Sequence, residues 1–156
     1  AAMTLAAETN FTPDQVRGLG HRAYDDADLA APLASGSFPT AGMVIIPCSI
    51  KTLSAVANCY SSSLLTRAAD VTLKEGRPLI LVVRETPLHL GHLRLMVKVA
   101  EMGGVIFPPV PALYGRPTRV EDMIDATAGR ILARLGFPND RYPRWTGAGG
   151  EEGVWT

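Results

Sequence analysis

The chain has 156 residues, with 15 lysines and arginines balanced by 15 aspartates and glutamates, and it is 47% hydrophobic against 19% charged. That length suits about one domain able to bury its own core, and the composition excludes a disordered chain. A formal net charge of zero leaves no field to draw the protein to nucleic acid or to an anionic membrane, and no apolar run approaches the roughly 20 residues of a membrane span. Cys48 and Cys59 form neither a disulfide framework nor a C-x-x-C pair, which fits a reducing compartment, so the cytoplasm is the expected location.

Residues 1–7 are apolar and helix-forming, and read as the tail of a helix. Thr12 and Pro13 make an N-cap and first-turn pair for a short helix through His21, kept short by Gly18 and Gly20. Residues 34–40 form a small-residue loop that delivers the chain to residues 43–46, a β-branched apolar run suited to a strand buried on both faces of a parallel sheet. Pro47 is expected to end that strand. Ser49 then leads into helical spacing from Ile50 to Ala57. Such a turn is either an ordinary strand-to-helix connection capped by Ser49 or an anion site built from the N–H groups of a helix start.

A second helical piece runs over 64–75 and closes at Gly76, followed by a buried strand at 78–83. Thr86 and Pro87 are read as the start of a helix over 88–102, which Gly103 and Gly104 close. Residues 105–107 form a third strand. The last helix, 120–135, shows one apolar stripe of Val120, Met123, Ile124, Ile131 and Leu135, with Arg130 at its edge. This βαβαβα order implies an α/β fold with a parallel sheet and helices on both faces. The expected organisation is a single domain over 1–138 and a polar, Gly-rich tail over 139–156 holding Trp145 and Trp155.

Parallel strands end along one edge of a sheet, where separate turns can converge on one ligand. Here those ends carry Ser49 and Lys51, then Arg84 and Glu85, then Tyr114 and Arg116. Charged groups directly after a buried strand are costly to desolvate unless paired. Arg84 and Glu85 therefore suggest either a salt bridge between elements or a phosphate-binding arginine beside an acid-base carboxylate. Twelve of the fifteen cations are arginine, the side chain suited to bidentate phosphate contacts. His89 and His92 have no carboxylate at ligand spacing, so helix capping or hydrogen bonding in a subunit contact is preferred to a metal site. Cys48 lacks a local His and acid, as a buried inert thiol would. Trp145 is either a surface anchor for the tail or a lid over a planar or prenyl ligand.

Five ordered blocks, 34–38, 43–53, 64–75, 84–94 and 108–114, together resemble the UbiX/Pad1 family of flavin prenyltransferases. The resemblance implies a Rossmann-like or flavodoxin-like three-layer α/β/α flavoprotein assembled as a homododecamer. It also implies transfer of a dimethylallyl group from dimethylallyl monophosphate to N5 and C6 of reduced FMN, without a metal. The prenylated FMN would serve a partner decarboxylase of the UbiD type. By position, Ser49, Ile50, Lys51, Thr52 and Arg84 match FMN contacts. Tyr114 and Arg130 match ligands of the allylic phosphate, with Arg67 and Lys74 adding positive charge from a neighbouring subunit. Glu8 and Glu85 match acidic residues that handle protons, and Trp145 matches an aromatic that closes the site.

Family members place a strand, a Gly-rich turn with a serine, a helix and a second strand before the position of Ala1. The resemblance therefore implies that these 156 residues hold only part of the FMN cradle. Two alternatives remain. An FMN-dependent cysteine-type decarboxylase would carry a Pro-x-Met-Asn-x-x-Met-Trp segment, which is not found, and a non-catalytic flavin-binding subunit of an aromatic-acid decarboxylase would bind FMN without altering it.

Overall fold

The structure, a computed structural model, describes residues 2–145 and Gly147. Trp155 and most of the tail beyond Trp145 lie outside the described residues. In chain order the elements are α1 (Ala2–Glu8), α2 (Pro13–Leu19), a 3-10 turn (Pro32–Ala34), β1 (Met43–Cys48), α3 (Ile50–Ala57), α4 (Leu64–Lys74), β2 (Leu79–Val83), α5 (Leu90–Glu101), β3 (Val105–Ile106) and α6 (Val120–Arg134). The strands form one parallel sheet in the order β1-β2-β3, with Met43 beside Leu79 and Ile80 beside Val105.

Strand β2 is central, and all five of its residues are buried. Alternate side chains along a strand point to opposite faces, so β2 feeds two separate cores. Leu79, Leu81 and Val83 pack with Leu53 and Val56 of α3, Ala69 of α4 and Val99 of α5. Ile80 and Val82 pack on the other face with Ile131 of α6, joined by the half-buried Val44, Val105, Phe107 and Leu135. Helices thus cover both faces, as the pattern of elements implies.

Four local expectations change. Strand β1 is not buried on both faces: Ile46 is 59% exposed and Val44 only half-buried. The described sheet gives β1 one neighbouring strand instead of two. Nor does β1 stop at Pro47. It continues to Cys48, which pairs with Val83 after a register shift between Ile45 and Cys48, because a residue without an N–H interrupts the ladder without ending it. The start of α5 is set by His89, whose Nδ1 accepts the Gly91 N–H at 3.0 Å, and not by Thr86 and Pro87. Finally, the α6 stripe divides. Ile131 is buried, but Val120 and Ile124 are 61% and 62% exposed, since only the C-terminal part of α6 reaches Ile80 and Val82. Helix α2 carries the expected Thr12 cap in a reciprocal box with Gln15, and ends at Leu19.

Candidate active site

At the end of β1, Ser49 adopts an extended backbone and caps α3. Its Oγ accepts the Thr52 N–H at 3.3 Å and lies 3.2 Å from Thr52 Oγ1. The first backbone bond of the helix runs from Leu53 N–H to Ser49 O at 2.9 Å. The N–H groups of Ile50 and Lys51 therefore precede the helical ladder, at the positive end of the α3 dipole. This arrangement suits a phosphate such as that of FMN. Cys48 beside it is fully buried, and burial pushes its thiol up to about 11. A thiol held neutral in this way is a poor nucleophile.

At the end of β2, Arg84 donates through both Nη atoms to the two carboxylate oxygens of Glu8 at 2.7 Å each. Sequence positions far apart meet here: α1 supplies the acid and β2 the base. The Arg84 hydrogen bond holds the Glu8 carboxyl below its usual range. Arg84 also donates its backbone N–H to Cys48 O at 3.2 Å, which fixes this residue against the β1 end. The bridge between elements anticipated for the Arg84-Glu85 pair is thus made by Arg84 with Glu8. Glu85 is exposed and has no hydrogen-bond or ion-pair partner among the described residues.

Tyr114, Arg130 and Trp145 come together elsewhere. They line a pocket of ≈ 370 Å³ with Phe107, Arg134 and Tyr142 among its other walls. The Tyr114 and Trp145 rings meet edge-on with centroids 6.1 Å apart, and the Tyr114 hydroxyl donates to Pro143 O at 3.4 Å. The Arg130 guanidinium stands 5.6 Å from the centre of the Tyr142 ring, a cation-π contact that orients it without neutralising it. The tail residue Trp145, 68% exposed, is one wall of the pocket.

Two backbone supports of this pocket escape a reading of sequence pattern. Gly129 is buried because the 139–142 segment lies directly on it: a Cβ there would stand 2.7 Å from Asn139 Oδ1 and 2.9 Å from Tyr142 Cδ1. Asn139 Nδ2 closes the contact by donating to Gly129 O at 3.0 Å. Asp122, also buried, anchors the start of α6 by accepting from the N–H groups of Thr118 and Arg119, at 2.9 and 3.0 Å. The Thr118 N–H is the foremost cause that keeps this carboxyl below its ordinary range. Only the i, i+4 spacing of Arg130 and Arg134 could have drawn notice to Arg134.

Arg67 and Lys74 do not join either cluster. Both lie on α4, whose Ala69 packs on the face of the sheet opposite α6. Arg67 donates from Nε to Ala34 O at 3.1 Å and pairs with Asp70 at 3.0 Å, while Lys74 pairs with Glu75. The His89 and His92 rings lie 3.6 Å apart. Among the described residues no group of three or more His, Cys, Asp or Glu side chains stands at metal-binding geometry.

Comparison with known proteins bears on these clusters together. A family model described as Flavoprotein matches residues 2–132. The flavin prenyltransferase UbiX of Salmonella typhimurium is 55% identical over 150 residues, covering 95% of this chain and 79% of that protein. The mitochondrial flavin prenyltransferase PAD1 of Saccharomyces cerevisiae is 44% identical over 146 residues, covering 94% and 60%. Among solved structures, AnUbiX (PadA1) in complex with FMN and dimethylallyl pyrophosphate superposes with a TM-score of 0.92 at 45% identity, covering 94% of this chain and 78% of that one. A dodecameric FMN-dependent UbiX-like decarboxylase from Escherichia coli O157:H7 gives 0.90 at 42% identity, covering 94% and 79%.

Proposed function

The chain belongs to the UbiX/Pad1 family of flavin prenyltransferases, and from that premise we propose how its residues carry out the transfer of a dimethylallyl group to reduced FMN. The flavin supplies N5 and C6 as the atoms that receive the five-carbon group. The observation that carries the reading is the convergence of Tyr114, Arg130 and Trp145 on one pocket, where a cation, a hydroxyl and an aromatic wall meet.

In this proposal the Ile50 and Lys51 N–H groups and the Ser49 and Thr52 hydroxyls hold the FMN phosphate, with Lys51 adding charge, while Arg84, already paired with Glu8, contacts the flavin from the end of β2. Arg130 and Tyr114 bind the phosphate of dimethylallyl monophosphate and stabilise the negative charge that grows on it as the C–O bond breaks. Trp145 keeps water from the allylic carbon. Glu85 accepts the proton released from C6, and Glu8, tied to Arg84, moves protons beside it. Arg67 and Lys74 act on a neighbouring copy, a role consistent with their place on the face of the sheet away from Arg130.

The assembly we propose is a homododecamer, in line with the dodecameric relative, and the product passes to a UbiD-type decarboxylase. No described helix is long and apolar enough to cross a membrane, and we place the protein in the cytoplasm. The reaction proceeds without a metal. Protein mixed with reduced FMN and dimethylallyl monophosphate in the absence of oxygen is expected to yield FMN heavier by one dimethylallyl unit in a mass spectrum, with or without a chelator. Unmodified flavin, or activity abolished by chelation and restored by zinc, would defeat the proposal.

A further inference from the structure

Arg77 takes no part in the strand-end clusters or in the α6 pocket, yet its guanidinium makes three hydrogen bonds. It follows the left-handed Gly76, where α4 closes with the Gly76 N–H on Leu73 O and the Arg77 N–H on Thr72 O, both at 2.9 Å. From that fixed point the half-buried side chain grips the loop before β1. Its Nη2 donates to Gly36 O at 2.7 Å, and its Nη1 donates to Phe38 O at 2.9 Å and to Thr40 Oγ1 at 3.4 Å. A planar fork can hold two carbonyls in this way, whereas a single ammonium is a point charge. Arg67 reaches the same loop through Nε, at Ala34 O. The loop also passes over the Lys74-Glu75 pair so closely that a Cβ on Gly36 would stand 2.7 Å from Lys74 Nζ. Residues 35–40 belong to no helix or strand, so these side chains tie the loop, Arg67 and Lys74 into one unit.

The unit is badly placed to serve its own chain. Arg77 precedes β2 while Ser49 and Arg84 follow β1 and β2, so in a parallel sheet they stand at opposite ends. Helix α4 also packs on the face of the sheet away from α6. Resting on the reading that Arg67 and Lys74 act on a neighbouring copy, we propose that Arg77 is a positioning residue for that copy's donor site. Its grip on Gly36 and Phe38 holds the loop against which Arg67 and Lys74 are set. The two cations then meet the allylic phosphate of the neighbouring copy in one geometry, with no reordering needed as charge develops on the leaving group. Arg77 itself touches no substrate.

Mixed assemblies of two variants test this, with calorimetric binding of dimethylallyl monophosphate read beside prenylated-flavin formation. Arg77→Gln alone is expected to weaken donor binding about tenfold, the loss of roughly one well-placed charge-assisted contact. Arg77→Lys should do nearly the same, because the charge without the fork cannot hold both carbonyls. Co-expressed Arg77→Gln and Arg130→Ala chains should regain tight binding at about one site in four, where a chain that keeps Arg130 meets a neighbour that keeps Arg77. No regained sites in the mixture would overturn the proposal, since Arg77 would then act within its own chain. Unchanged donor affinity in Arg77→Gln, or full rescue by Arg77→Lys, would overturn it too, the first leaving only a stitch in the loop and the second only a charge. Regained binding with no prenylated flavin, even from the unmodified protein, would count against the transferase reading. Prenylated flavin from the unmodified protein with no regained sites would count against the role of Arg77 alone.

Discussion

Single side chains in this protein divide between those already matched with a partner and those left to meet a ligand. On the proposed reading Arg130 and Tyr114 belong to the second kind, since among the described residues the guanidinium has only an aromatic face beside it and the hydroxyl makes one long bond to a carbonyl. Arg130→Ala and Tyr114→Phe are expected to raise the KM for the allylic phosphate by roughly tenfold or more, on the basis of about 1.5 to 3 kcal/mol per charge-assisted contact, while FMN still binds. Flavin titration alongside donor kinetics checks this, and an equal loss of both affinities would misplace the residue. Glu8 belongs to the first kind. The Arg84 hydrogen bond lowers its folded-state titration, so this pair contributes stability above the ordinary carboxylate range and loses it as pH falls through the lowered value. In an NMR titration, Arg84→Gln should move the Glu8 midpoint upward, and an unmoved midpoint would mean that another group controls it.

Among the elements, α6 matters most to the pocket because it carries both a wall and the support for that wall. Its N-terminus is anchored by the four hydrogen bonds that Asp122 accepts from Thr118 and Arg119. Its middle gives way at Gly129 to admit the 139–142 segment, which sets Tyr142 under Arg130. Gly129→Ala would normally strengthen a helix interior. Here the added methyl meets Asn139 and Tyr142 at under 3 Å, so the variant is expected to lose about 1 to 3 kcal/mol in denaturant unfolding and to bind the allylic phosphate poorly. A more stable variant with unchanged donor affinity would show that the 139–142 segment does not shape the site.

On the scale of the whole molecule, the described surface leaves apolar side chains uncovered on several elements. Leu90, Leu93 and Val97 of α5 are 59%, 45% and 55% exposed, as are Ile46 on β1 and Val120 and Ile124 on α6. Burying such surface contributes roughly 25 cal/mol per Å², and a protein that kept it in water would tend to associate. With a dodecameric relative of closely similar fold, the expected outcome of sedimentation equilibrium is a discrete mass several-fold above that of one chain. A single-chain mass across the micromolar range would contradict the oligomeric assembly.

Much of the architecture was legible in the residues themselves. The apolar run of β2, the Thr12 and Ser49 caps and the glycines closing α4 and α5 are local signals, because strand period, capping chemistry and left-handed turns depend on near neighbours. The family resemblance likewise comes from ordered blocks that need no coordinates. Sequence alone could not decide that Arg84 would take Glu8 and leave Glu85 unpaired, for that depends on where α1 packs. Nor could it show that the α6 stripe would be buried only at Ile131, or that β1 would continue past Pro47, because spacing marks which residues share a face and not how far another layer extends over it. The pocket itself is the clearest case. Phe107, Tyr114, Arg130, Arg134, Arg144 and Trp145 are spread over three stretches of chain, and only the packing of the last helix and its following segment against the sheet brings their charges and rings to one place.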